Sequence, residues 1–182
     1  MKRAILIAMT LLAAWTVTTA HAAEPKFTVL LAGGAEESAI SIALSSDGRS
    51  YVIDSLAQLE VGDVCWHPEG METELICPAS SIGGFEVNAG GGDDAVTVAR
   101  GVPIPVTLRG GPGNDRLVGG GGADRLVGGT GDDTLIGRAG ADSLFGGPGS
   151  DRLIGGSGDD LLHGDSGVDT VLGGSGHNQP LS

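Results

Sequence analysis

The chain has 182 residues, 34 of them glycine and only 3% aromatic, so a core built on large rings is not expected. Its formal net charge of −13 argues against nucleic acid and anionic membrane surfaces as partners. A chain this acidic and glycine-rich either stays disordered or needs cations, and only the residue spacing can decide between the two.

Lys2 and Arg3 make a positive start, Ala4 to Val17 is an apolar run, and Ala20-His21-Ala22 is a small-x-small cleavage signal. Residues 1–22 therefore read as a secretory signal peptide cut between Ala22 and Ala23. An uncleaved anchor is the alternative, but the run is short for a span, and no later stretch could cross a bilayer. The expected destination is outside the cell, with periplasmic or wall-associated forms as variants of it.

Residues 23–109 read as a β-rich segment. Phe27 to Leu31, Ala39 to Leu44, Tyr51 to Ile53, Glu74 to Ile76, Phe85 to Val87 and Ala95 to Val98 are strand candidates. Asp47-Gly48 between the second and third is a hairpin signal. Pro103 and Pro105 mark an edge or connector. Cys65 and Cys77 are the chain's two cysteines, and an even count in an exported chain favours a disulfide. Its closed loop would contribute on the order of 3 kcal/mol. The segment has no HExxH helix and no GxSxG elbow, and Asp54, Glu60, Asp63, His67 and Glu69 are scattered, so no enzyme is expected.

From Gly110 the chain falls into nine-residue units: GGPGNDRLV, GGGGADRLV, GGTGDDTLI, GRAGADSLF, GGPGSDRLI, GGSGDDLLH and GDSGVDTVL, then GGSGHNQPL. The sixth position is Asp115, Asp124, Asp133, Asp142, Asp151, Asp160 and Asp169, and the eighth is Leu117, Leu126, Leu135, Leu144, Leu153, Leu162 and Val171. This register rejects compositional disorder, at least with metal bound. Each unit joins a glycine turn to a three-residue strand that must stack on its neighbours. Two units make one coil of a flattened parallel helix, with odd units on one side and even units on the other. Stacked strands about 4.8 Å apart would also stack the aspartates, whose repulsion a hard divalent cation reverses. Calcium suits carboxylate and carbonyl oxygens at flexible geometry.

Residues 110–172 resemble the hemolysin-type calcium-binding repeats of the RTX family. The resemblance implies an all-β chain with a C-terminal parallel β-roll, a calcium-loaded solenoid over 110–182 preceded by the smaller β-rich segment. It implies metal ligands at the seven sixth-position aspartates and at carbonyls of their turns. Those carbonyls belong to Gly110, Gly113, Gly119, Gly122, Gly128, Gly131, Gly146, Gly149, Gly155 and Gly158. Pairing each unit with the next but one gives about five calcium ions. Calcium would fold the array, and the role is structural or interactive, with a surface adhesin or coat component as the alternative.

Arg138 and Asp165 replace second-position glycines, so strain and weaker binding are expected there. Asn178 in place of the last aspartate reads as a cap. Gly90-Gly91-Gly92-Asp93-Asp94 matches the turn once, but Asp94 lies 21 residues before Asp115, out of phase. A fainter echo over 32–40 puts Glu37 at the aspartate position. Val118, Ile136, Ile154 and Leu172, at ninth positions, would form an outward apolar stripe. Ordinary β-propensity explains it, and so does a contact face for the N-terminal segment, a second copy or a cell-surface partner.

Overall fold

A computed structural model describes residues 27–32, 37–55, 65–66, 68–70 and 74–181. The expected signal peptide, Glu60, Asp63 and His67 lie outside the described residues, which contain strands and turns but no helix.

The strands in chain order are β1 (Phe27–Ala32), β2 (Ala39–Leu44), β3 (Ser50–Ser55), β4 (Glu74–Pro78), β5 (Ile82–Asn88), β6 (Ala95–Val98), β7 (Val106–Pro112) and β8 (Arg116–Val118). They continue as β9 (Arg125–Thr130), β10 (Thr134–Ala139), β11 (Ser143–Pro148), β12 (Arg152–Ser157), β13 (Leu161–Ser166), β14 (Thr170–Ser175) and β15 (Gln179–Leu181). Two sheets face each other. One runs β1-β5-β7-β9-β11-β13-β15 and the other β14-β12-β10-β8-β6-β2-β3-β4. Pairing among these strands is parallel except in the β2-β3-β4 meander, beside which Trp66 makes an isolated antiparallel bridge to Ile76. The chain alternates between sheets, and each pair of strands makes one coil of a β-roll.

Register explains why this works. Leu135 sits beside Leu117 and Leu153, and Leu144 beside Leu126 and Leu162. These six leucines are fully buried and form two facing columns. Each contributes roughly 2 kcal/mol of transfer free energy, which a three-residue strand could not gain alone. The columns continue into the N-terminal coils through Val96 and Ile40 on one side and Leu108 and Val87 on the other. Tyr51 and Phe85 meet edge to face at 5.2 Å near that end. Thus both sheets run without a break from the N-terminal segment into the repeats.

The expected strands and the Asp47-Gly48 hairpin are all present, with Gly48 at φ 70°. Cys65 and Cys77 form a disulfide that ties the chain before Trp66 to β4. Pro103 and Pro105 lie in the connector between β6 and β7. That connector is three residues longer than its counterparts: Ala95 pairs with Arg116, 21 residues on, whereas Thr107 pairs with Arg125, 18 on.

Candidate metal centre

The turns between strands stack along the two edges of the roll. One edge carries turns 89–94, 110–115, 128–133, 146–151 and 164–169. The other carries 119–124, 137–142, 155–160 and 173–178. Odd and even units therefore separate as expected, and each edge holds its own column of sixth-position side chains.

The column is wired by hydrogen bonds. The N–H of Asp115 donates to Oδ1 of Asp133 at 2.7 Å, Asp133 to Asp151 at 2.8 Å, and Asp151 to Asp169 at 2.9 Å. On the second edge Asp124 donates to Asp142 at 2.8 Å, Asp142 to Asp160 at 2.9 Å, and Asp160 to Oδ1 of Asn178 at 3.0 Å. Each carboxylate thus uses one oxygen to hold the turn one coil earlier. Asn178 supplies the same bond without the charge.

The other oxygen has no such partner in most of them. Oδ2 of Asp94, Asp115, Asp133, Asp142, Asp151 and Asp160 is buried and accepts no hydrogen bond. Burying an unpaired charge is strongly unfavourable. Desolvation, reinforced by the column neighbours, pushes the Asp133 and Asp142 carboxyls up to about 7. Burial likewise raises Asp115, Asp151 and Asp160.

The first-position glycines leave room beside these oxygens. A Cβ on Gly128 would collide with Oδ2 of Asp133 and lie 2.7 Å from the carbonyl oxygen of Gly146. On Gly110 it would meet Asp115 and the Gly128 carbonyl, and on Gly155 Asp160 and the Gly173 carbonyl. Gly119 and Gly146 stand in the same relation to Asp124 and Asp151. The cradle is thus lined by a carboxylate oxygen, orphaned in all of these but Asp124, and a carbonyl of the next coil. Among the described residues no three His, Cys, Asp or Glu side chains cluster as a metal site, so backbone oxygens must complete any coordination. An all-oxygen donor set of carboxylates and carbonyls fits calcium.

Fourth-position glycines have a different task. Gly131 has φ 124°, and a Cβ there would collide with the Gly113 carbonyl of the coil before. Gly113, Gly149 and Gly158 share this positive φ, whereas Gly122 does not. Arg138 (φ 86°) and Asp165 (φ 69°) hold the left-handed conformation without being glycine, which is the expected strain.

Three features of the edges escape the repeat pattern. Asp94 lies in the column despite its phase: its N–H donates to Oδ1 of Asp115 at 2.8 Å, and the long connector absorbs the three extra residues. Glu37 is not its partner. Ser38 pairs there instead, its N–H donating to Oδ1 of Asp94 at 2.5 Å, because Ala39 stands beside Ala95. A second ladder runs through the fifth position, which the nonapeptide pattern leaves free. The amides of Asn114, Asp132 and Ser150 donate at 2.8 Å to side-chain oxygens of Asp93, Asn114 and Asp132, one coil earlier. The only signal of it in the chain is the run of Asp, Asn and Ser at those positions.

The sequence model of the RTX calcium-binding nonapeptide repeat (four copies) matches residues 109–144, 118–153 and 145–180. No curated protein and no solved structure matches the chain. Taken with the stacked glycine turns and aspartate columns, the match makes residues 109–180 an array of RTX calcium-binding repeats folded as a β-roll.

Proposed function

We propose that this is an exported protein whose roll tightens on binding calcium, and that its role outside the cell is structural or interactive. The observation that carries the reading is the set of six buried Oδ2 atoms without a partner, aligned on the two edges. The ligands would be Asp115, Asp133, Asp142, Asp151, Asp160 and Asp169 with carbonyls of their turns, for about four of the five expected ions, and Asp124, whose Oδ2 accepts the Gly120 N–H, stands apart. Calcium-binding energy then becomes folding energy. A chain made where calcium is scarce would stay loose and set after export, which fits the signal-like residues 1–22.

The contact role has its own support. Ile136, Ile154 and Leu172 stand side by side in register on the outer face of one sheet, the first two half-buried and Leu172 47% exposed, whereas Val118, expected in the same stripe, is buried. A second copy or a cell-surface partner would cover such a stripe, as in an adhesin or coat component. A roll of this kind is a scaffold, and the proposed function is not catalytic.

The test is a calcium titration of the EDTA-treated protein, followed by circular dichroism and native mass spectrometry. A gain of β-structure with several bound ions is expected. A spectrum and mass unchanged by calcium would overturn the reading.

A further inference from the structure

The turns of the roll repeat one backbone shape with a single exception. In every other turn from 89–94 to 173–178, the second and fourth residues both have positive φ; even Arg138 and Asp165 comply. In turn 119–124 neither Gly120 nor Gly122 does, although its sequence, GGGGAD, matches the repeat better than most. The peptide before Gly120 is turned so that its N–H donates to Oδ2 of Asp124 at 2.7 Å. Asp124 is accordingly absent from the carboxylates with an orphaned Oδ2.

The cause lies in the neighbouring coils. Below, the longer connector pushes its backbone up against this turn: the Gly121 N–H donates to the Val102 carbonyl at 2.8 Å. A Cβ on Gly122 would lie 2.5 Å from the Ile104 carbonyl. That lower coil offers Val106, not an acid, at the sixth position, and the Val106 N–H donates to Oδ1 of Asp124 at 3.0 Å. From above, Arg138 reaches down past this turn. Its guanidinium donates to the carbonyl of Gly119 at 3.0 Å and to that of Val98. Val98 and Gly119 hold equivalent first positions in successive coils, because Thr97 pairs with Val118. First-position carbonyls are the ones that line the cradles elsewhere on the roll.

We propose that turn Gly119–Asp124 is closed by the chain's own cation, the guanidinium of Arg138, where the other turns would take a metal ion. The proposal rests on the calcium reading of those other turns. An arginine is always charged and cannot be chelated. The edge of the roll that joins β6 to β7 and β8 to β9 therefore holds its shape without metal and forms a platform on which the calcium-dependent turns of that edge stack. Arg138 accepts a left-handed backbone as the condition for placing its side chain there.

The full chain and its R138G and R138K variants test this. Gly at position 138 restores the repeat pattern and relieves the backbone, so R138G is expected to fold. Native mass spectrometry in calcium should count one more ion on R138G than on the wild type, held at turn 119–124 where the guanidinium had occupied the Gly119 carbonyl. In EDTA, amide hydrogen exchange over residues 95–125 should be about tenfold faster in R138G than in the wild type. R138K, which keeps a cation, should retain the wild-type ion count. An unchanged ion count in R138G, or unchanged protection of 95–125 in EDTA, overturns the proposal. A wild-type chain that binds no calcium would remove the broader reading, while the exchange comparison would still decide the role of Arg138.

Discussion

The amide of Asp94 donates to Oδ1 of Asp115 at 2.8 Å across 21 residues, and the amide of Asp115 donates to Oδ1 of Asp133 at 2.7 Å across 18. The two bonds are equivalent, so Asp94 is a full member of the column. Its own Oδ1 holds the Ser38 N–H at 2.5 Å, which links the first coils to the array. Asp94→Ala removes the acceptor of that buried N–H and should destabilise the metal-free protein by about 1–3 kcal/mol. Asp94→Asn keeps the acceptor, as Asn178 does at the other end, and should be milder. Urea denaturation in EDTA measures both.

Asp133 separates hydrogen bonding from charge more sharply still. Asp133→Asn preserves the Asp115 bond at Oδ1 but removes the buried charge at Oδ2. The variant should keep its β-structure in EDTA yet bind fewer calcium ions than the wild type. An undiminished ion count by native mass spectrometry would show that the column carboxylates are not ligands.

The metal-free roll should be less stable at higher pH. Burial pushes Asp133 and Asp142 up to about 7 and Asp124 up to about 6, against an ordinary aspartate value of 3.8. The folded state therefore holds protons that the unfolded chain has released, and folding is favoured below the unfolded value. That contribution is lost as pH rises through about 6 to 7. Melting in EDTA should move to lower temperature between about pH 5 and pH 8. With calcium the trend should reverse, because the ligand form is the carboxylate.

Two substitutions separate the core from the turns. Leu135 is fully buried between Leu117 and Leu153, and Leu135→Ala should destabilise the roll by about 2–5 kcal/mol. Gly129 has φ 130°, and a Cβ there would collide with the Gly111 carbonyl. Gly129→Ala combines backbone strain with that clash, so it should destabilise by more than about 1 kcal/mol. Denaturant unfolding with calcium present measures both against the wild type.

The repeat period makes the columns of Leu117 to Leu162 and of Asp115 to Asp169 legible in the sequence alone, because one coil consumes two units. The same arithmetic hides Asp94, since spacing alone cannot tell a broken phase from a longer connector. Glu37 misleads for a related reason: a one-residue slip in a short echo moves Ser38, rather than Glu37, into line. The Arg138 contacts lie beyond sequence reasoning altogether. Its substitution marks a strained position, but only packing shows that the side chain descends to the carbonyls of Gly119 and Val98.

Register between coils has a consequence for how such a chain can lengthen or shorten. Leu135 meets Leu117 and Leu153 at intervals of 18 residues, never at nine. Removing one nonapeptide would move every later strand to the opposite sheet and every later aspartate to the opposite edge. Removing two would leave each survivor facing an equivalent neighbour. The heritable module is the whole coil, and copy number should change in pairs of units, with odd changes confined to the ends.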